Sequence, residues 1–181
     1  MPHALVLQFP SAEALPSALL TRLPEPDYAD EKRMRFIVEE GFSLSGADAA
    51  LLDSRQIDHA VLPDRAFGEL GLIVSDMDST LITIECVDEI AAGVGLKDRV
   101  AEITERSMRG ELDFEQSLRS RVALLAGLNE RVLAEVYENV LQLSPGAEFL
   151  LDECKAHGVK FMLVSGGFTF FTDRLQTRLG L

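Results

Sequence analysis

The sequence has 181 residues, 47% hydrophobic and 26% charged, a composition typical of a globular protein of one domain or two small ones. Acidic residues outnumber basic residues by 30 to 17, and the net charge of −13 disfavours nucleic acid as a partner, because the phosphate backbone would repel it. No segment reaches the ~20 apolar residues needed to span a bilayer, and the N-terminus lacks the basic start of a signal peptide. We therefore expect a cytoplasmic protein with no membrane partner, in which Cys86 and Cys154 are free thiols.

Residues 1–66 have the pattern of a small α+β module. The predicted elements are strands at 4–9 and 32–40 and helices at 11–23 and 44–56. Pro16 interrupts the first helix, Ser45 is a candidate cap for the second, and residues 23–31 are predicted as a loop. His3 and His59 have no partner in the sequence, so we expect surface or hydrogen-bonded core histidines. The module contains no recognisable catalytic motif.

From residue 67 onward the pattern becomes that of an α/β domain. Two continuous apolar runs, 70–76 and 159–167, predict strands that are covered on both faces. Helices are predicted at 85–92, 98–108, 113–125, 129–140, 146–157 and 168–179, and Asp113 with Gln116 forms a helix-start signal. Five of the six helices lie between the strands, so we expect a long helical insertion directly after the first strand.

Two aspartates, Asp76 and Asp78, end the first predicted strand. In parallel α/β sheets, ligands bind at the carboxyl ends of the strands, and residues i and i+2 of an extended chain point the same way. Two carboxylates in one small volume require a cation or a shared proton, and Mg²⁺ prefers such oxygen ligands. The alternative is a plain turn, since Asp and Ser favour turns.

The second predicted strand ends in Ser165, Gly166 and Gly167. A hydroxyl group and backbone N–H groups at the start of a helix can hold phosphate oxygens, and glycines let the backbone approach a ligand closely. An ordinary tight turn is the alternative for this segment.

Three separated segments resemble one known family. LIVSDMDSTL resembles the first motif of the haloacid-dehalogenase superfamily, D-x-D-x-[TV], and FMLVSGGF resembles the second. Within that superfamily, DMDSTLITIECVDEIA, GELDFEQSLRSRVALLAGL and LVSGGF are similar, in this order, to segments of the phosphoserine phosphatases. The resemblance extends from about residue 70 to residue 181.

The resemblance implies an α/β fold with a Rossmann-like core, incomplete in this chain, and a helical-bundle cap at about residues 84–143. Residues 1–66 would be a small α+β module of a regulatory type. The implied activity is the Mg²⁺-dependent removal of phosphate from L-phosphoserine through an aspartyl-phosphate, which yields L-serine in serine biosynthesis. A non-catalytic protein that binds serine or phosphate, or a phosphatase of another small-molecule specificity, is the alternative.

The resemblance also implies roles for single residues. Asp76 would be the nucleophile and a Mg²⁺ ligand, and Asp78 the general acid and base, with its backbone carbonyl on the metal. Glu85 would bind the substrate ammonium group and Arg121 the carboxylate. Met108 and Phe114 would form the apolar wall of the pocket. Ser165, Gly166 and Gly167 would hold the phosphate.

Each of the cap residues also has a structural alternative. Glu85 could be an acid favoured by the helix dipole at a helix start. Arg121 could lie on a solvated helix face, and Met108 and Phe114 could belong to the hydrophobic core.

The superfamily uses a lysine after its third strand and an acidic motif after its fourth, and the sequence ends at Leu181 before either. We therefore expect a chain shortened relative to a longer phosphatase. Because phosphoryl transfer depends on charge neutralisation, we predict little or no turnover by these 181 residues alone. An assay of phosphoserine hydrolysis measures this, and robust Mg²⁺-dependent phosphate release would contradict it.

Overall fold

The computed structural model describes residues 2–181, which form two compact units divided between Ala66 and Phe67. Each unit has its own hydrophobic core. None of the helices within residues 2–181 is long and apolar enough to cross a membrane. Cys86 and Cys154 are both free and buried, so the prediction of two free thiols is confirmed.

The first unit is an antiparallel sheet with two short helices. In chain order it comprises β1 (His3–Gln8), α1 (Ser17–Leu20), β2 (Tyr28–Ala29), β3 (Arg33–Val38), α2 (Gly46–Ser54) and β4 (Asp58–Pro63). The strand order is β2-β3-β1-β4. Alternate residues of β1 and β3, such as Leu5, Leu7 and Phe36, are buried with Leu52 of α2 in one core. The Ser45 side chain accepts a hydrogen bond from the N–H of Asp48, as predicted for a cap.

Two details of the first unit differ from the prediction. The strands β2 and β4 were not predicted, because β2 has only two residues and β4 lacks a clear apolar alternation. The single helix predicted at 11–23 is also wrong. The chain forms a 3-10 turn at Ala12–Ala14 and then α1, with extended backbone at Leu15 (φ −65°, ψ 128°) between them. Pro16 causes this break, since a proline disfavours helical backbone in the residue before it.

The second unit pairs two parallel strands, β5 (Leu72–Ser75) and β6 (Lys160–Leu163). Its helices are α3 (Cys86–Gly93), α4 (Lys97–Met108), α5 (Phe114–Ala123), α6 (Arg131–Asn139), α7 (Ala147–His157) and α8 (Thr169–Leu179). The first five lie between the strands in sequence, as predicted. The start of α5 is a capping box, in which Asp113 accepts from the N–H of Gln116 and the Gln116 side chain accepts from the N–H of Asp113.

The prediction that both strands are covered on both faces is wrong. Phe161 and Leu163 of β6 pack against the core, whereas on the other face Leu72, Val74 and Met162 are 46%, 57% and 49% exposed. An apolar run carries no alternation from which the covered face could be read, so the sequence could not distinguish one covered face from two.

The helical insertion leaves and rejoins the rest of the unit through two adjacent segments. Ile82 and Leu143 form an antiparallel bridge, and the N–H of Thr83 donates to the carbonyl of Gln142 at 2.9 Å. The Ser144 hydroxyl group donates to the carbonyl of Thr80 at 2.6 Å. These bonds form a stem, residues 80–83 with residues 142–144, which closes the base of the insertion.

The core of the second unit depends on residues of α8. Phe171 is fully buried in the same cluster as Met77 and Ile90, and its ring lies 5.2 Å from that of Phe170 and 6.5 Å from that of Tyr137, measured between centroids. Phe149 of α7, by contrast, is 70% exposed. The two phenylalanines therefore form a matched pair for measuring how much burial contributes to stability.

We predict that Phe171→Ala lowers the free energy of unfolding of the second unit by about 3–5 kcal/mol, because the substitution leaves a cavity in a packed core. Phe149→Ala should change it by no more than about 0.5 kcal/mol. Urea unfolding of both variants measures the difference, and similar losses for the two would contradict the assignment of Phe171 to the core.

Candidate active site

The parallel register of β5 and β6 brings the ends of both strands to one edge. Ser75 is paired with Leu163, and the N–H of Val164 donates to the carbonyl of Ser75 at 2.9 Å. Asp76 directly follows β5, and Ser165 lies two residues after β6. The structure therefore places the two predicted strand-end motifs side by side.

Asp76 caps the irregular turn that follows β5. Its Oδ1 accepts a hydrogen bond from the N–H of Met77 at 2.6 Å, and Asp76 is exposed to solvent. Met77 itself is fully buried, so the backbone on which Asp76 stands is anchored by core packing.

Asp78 has two carboxylate oxygens in different surroundings. Its Oδ1 accepts a hydrogen bond from the N–H of Cys86, the first residue of α3, at 2.9 Å. Its Oδ2 faces the segment after β6, where a Cβ placed on Gly167 would lie only 3.1 Å from it. One oxygen is thus fixed by a helix start, while the other faces the Ser165–Gly167 segment.

Gly167 lies where a side chain has little space. A Cβ there would also lie 2.9 Å from Cε of Met77 and 3.1 Å from Oγ of Ser165, so that these neighbours would have to shift. The N–H of Gly167 donates to Oγ of Ser165 at 2.9 Å, so the segment forms the tight turn that was the alternative interpretation. The turn and a phosphate site are compatible, because this turn places Ser165 and Gly167 against Asp78.

Ser79 joins the turn to Glu85. It adopts left-handed backbone (φ 51°), which is uncommon for a residue with a side chain. Its N–H donates to the carbonyl of Ile84 at 3.1 Å, and its hydroxyl group donates to Oε1 of Glu85 at 2.7 Å. Glu85 stands at the start of α3 without capping that helix, so its carboxylate is oriented by Ser79.

The thiol of Cys86 remains protonated. Burial raises its pKa well above the usual range, and a hydrogen bond to Asp78 together with the charges of Asp78 and Glu85 raises the pKa further. A protonated thiol can donate a hydrogen bond but is a poor nucleophile. Cys86 therefore acts on Asp78 through the hydrogen bond of its backbone N–H and not as a reactive group.

Arg121 is held on α5 with an unused donor. Its Nε is buried and has no hydrogen-bond partner, so the alternative of a fully solvated helix face is wrong. Its neighbour Arg119 is paired with Glu115 in solvent. Phe114 lies two turns before Arg121 on the same face of the helix, about 10 Å away along the axis.

Met108 and Phe114 are not core residues. They are 85% and 71% exposed, which contradicts the alternative that both belong to the hydrophobic core. Cζ of Phe114 lies 3.6 Å from the position that a Cβ on Gly166 would take. The structure therefore brings Phe114 to the segment after β6.

The oxygen ligands at this edge suit a hard cation that is also bound by water or phosphate. No group of three or more His, Cys, Asp or Glu side chains within residues 2–181 forms a metal site. Mg²⁺, however, is commonly bound through one or two carboxylates, with water and phosphate completing its shell. The Asp76 side chain and the Asp78 backbone carbonyl fit that description.

Three residues near this edge were not predicted. Ser79 orients Glu85, Cys86 binds Asp78, and Asp88 of α3 has a buried Oδ1 without a hydrogen-bond partner. The left-handed Ser79 has no signature in the sequence. A helix start immediately after Glu85 was the one signal for Cys86, because the first N–H groups of a helix are free to bind an acid.

The chain is similar to known proteins in sequence and in fold. Residues 70–181 match the haloacid dehalogenase-like hydrolase family. The phosphoserine phosphatase of Polaromonas sp. is 56% identical over 120 residues, which cover 66% of this chain and 51% of that protein. The chain thus spans about half the length of the curated relatives that it matches.

Two solved structures are similar in fold. A HAD family hydrolase from Salmonella enterica serovar Typhi is 30% identical with a TM-score of 0.83, and the match covers 100% of this chain and 66% of that one. A phosphoserine phosphatase described as a phospho-aspartyl intermediate analogue is 39% identical with a TM-score of 0.56, over 62% and 53% of the two chains. With the family match over more than half of its length, the chain belongs to the haloacid dehalogenase-like hydrolase family.

Proposed function

We propose that this chain carries the nucleophile and the substrate clamp of a phosphomonoester hydrolase that converts L-phosphoserine to L-serine. One observation carries the proposal. Asp78 lies against the Ser165–Gly167 segment, at the same edge of the sheet where Asp76 follows β5. A nucleophile, a proton carrier and donors for phosphate oxygens are the parts that phosphoryl transfer needs. The names of the similar proteins, phosphoserine phosphatase, support the same substrate.

In this proposal the two aspartates have different roles. An oxygen of Asp76 attacks phosphorus, the bond from phosphorus to the serine oxygen breaks, and Asp78 gives its proton to that leaving oxygen. Water then attacks the aspartyl-phosphate, Asp78 takes the proton of that water, and phosphate leaves Asp76. Because Oδ1 of Asp78 is bound by Cys86, we assign the proton to Oδ2, which faces Ser165 and Gly167.

Mg²⁺, which the family suggests, would be held by the Asp76 carboxylate and the Asp78 carbonyl and would neutralise charge on the phosphate. We assign the phosphate oxygens to the hydroxyl group of Ser165 and the N–H groups of Gly166 and Gly167; the Gly167 N–H, which donates to Oγ of Ser165 in this structure, would exchange that bond for one to the phosphate. We assign the substrate ammonium group to Glu85, which Ser79 already orients.

The serine carboxylate is assigned to Arg121. A buried guanidinium nitrogen without a partner costs free energy until an acceptor reaches it, and a carboxylate is the acceptor that a guanidinium group binds best. Phe114 and Met108 are assigned to the apolar wall, and the helical insertion at about residues 84–143 to a cap that excludes water. We place the reaction in the cytoplasm, where the free thiols Cys86 and Cys154 would persist.

We predict that Arg121→Ala lowers kcat/KM for phosphoserine by about 100-fold, because a charged hydrogen bond to the substrate carboxylate is lost. Hydrolysis of p-nitrophenyl phosphate, which has no carboxylate, should fall by no more than about threefold. Steady-state kinetics of the gene product that carries these residues measures both values.

The matched control is Arg119→Ala, on the same helix with a side chain 78% exposed, for which both rates should stay near the wild-type values. Equal losses on the two substrates for Arg121→Ala would contradict the assigned specificity. Binding of phosphoserine without any turnover would favour the alternative of a non-catalytic binding protein.

Gly167→Ala should lower kcat by about tenfold, since the added Cβ would lie 3.1 Å from Oδ2 of Asp78 and from Oγ of Ser165 and would shift both from the geometry of the reaction. Gly71→Ala is the control, because a Cβ on Gly71 meets no atom within 4 Å. Full activity of Gly167→Ala, measured as phosphate release, would show that the close approach to Asp78 has no part in the reaction.

A further inference from the structure

We propose that Cys86 is a positioning residue for Asp78, so that the first turn of α3 aims the carboxylate that moves the proton. This inference rests on the proposed function for the role of Asp78, but its structural basis is independent of the substrate. The backbone N–H of Cys86 donates to Oδ1 of Asp78 at 2.9 Å, and the thiol of Cys86 is buried near the same carboxylate, whose charge helps to raise the pKa of the thiol.

The position of Cys86 makes this interaction specific. Cys86 is the first residue of α3, where backbone N–H groups have no partner within the helix, and its side chain is 1% exposed. An acid placed there satisfies the free N–H and lies at the positive end of the helix dipole. Asp78 is eight residues earlier in the chain, so the bond joins the strand-end turn to the first helix of the insertion.

The bond also separates the two oxygens of Asp78. Oδ1 is directed at α3, and Oδ2 is consequently directed at Gly167 and Ser165. A carboxylate held at one oxygen cannot rotate freely, and a proton carrier must keep its geometry to within a fraction of an ångström.

The chain offers a matched control for the thiol. Cys154 of α7 is also free and 2% exposed, but it packs in the interior of a helix. Removing either sulfur creates a similar small cavity, so the loss of packing should be similar at the two positions. A difference in catalysis between them would therefore report on Asp78.

The kinetic test compares Cys86→Ala, Cys86→Ser and Cys154→Ala. We expect Cys86→Ala to lower kcat by about threefold to tenfold with KM within about twofold, since the substitution removes a buried donor beside the proton carrier and loosens the start of α3 that holds Oδ1. Cys86→Ser, which restores a donor, should recover at least half of that loss, and Cys154→Ala should keep the wild-type kcat.

A packing role predicts the opposite order, because a buried hydroxyl group is less favourable than a methyl group. If Cys86→Ser is as slow as Cys86→Ala or slower, or if Cys154→Ala loses as much kcat, the proposal is wrong. The assay uses p-nitrophenyl phosphate as well as phosphoserine. Loss of phosphoserine turnover alone would then count against the proposed substrate and not against the role of Cys86.

A second measurement needs no activity. Amide hydrogen exchange of Cys86 should be slow in the wild-type protein, although the first N–H groups of a helix usually exchange fast, and about tenfold faster in Asp78→Ala. Asp98→Ala, an acid in the first turn of α4, should leave this exchange unchanged. Fast exchange of the Cys86 amide in the wild-type protein would overturn the proposal, even for a protein that hydrolyses no phosphomonoester.

Discussion

The parallel pairing of β5 with β6 is the constraint on which the rest of the second unit depends. Five helices separate the two strands in sequence. The register of the strands nevertheless sets Ser75 opposite Leu163 and so brings Asp76 and Ser165 to one edge of the sheet. An antiparallel pairing would send the two motifs to opposite ends of the sheet. The direction of the strands therefore determines which side chains can come together in the site.

The sequence predicted the order of the elements in the second unit and the start of α5, because these depend on local signals. The capping box of Asp113 and Gln116 needs no tertiary contact to form. Two other features were predicted wrongly, for different reasons. The face of β5 that remains open is set by what packs on it, and the break at Pro16 shows a local steric rule overriding the apolar pattern around it.

The candidate site shows the same division. Asp76, Asp78 and Ser165 were predicted because strand ends and residue types are visible in a sequence. The bond from Cys86 to Asp78 was not, since it joins residues eight positions apart across an irregular turn that contains the left-handed Ser79. Tertiary geometry also distinguished Arg121, with its buried Nε, from the solvated Arg119. Nothing in the two side chains themselves separates an anchoring arginine from a surface one.

The stem that joins residues 80–83 to residues 142–144 has a consequence for how such a site can diversify. The insertion begins and ends at adjacent points, where the Ile82–Leu143 bridge offsets the entropic cost of closing the loop. This cost depends only weakly on the length of the inserted segment. Helices α4 and α5 can therefore be lengthened, exchanged or redecorated while Asp76 and Asp78 keep their places. Under the proposed function, substrate choice and phosphoryl chemistry thus belong to parts of the chain that evolution can alter separately.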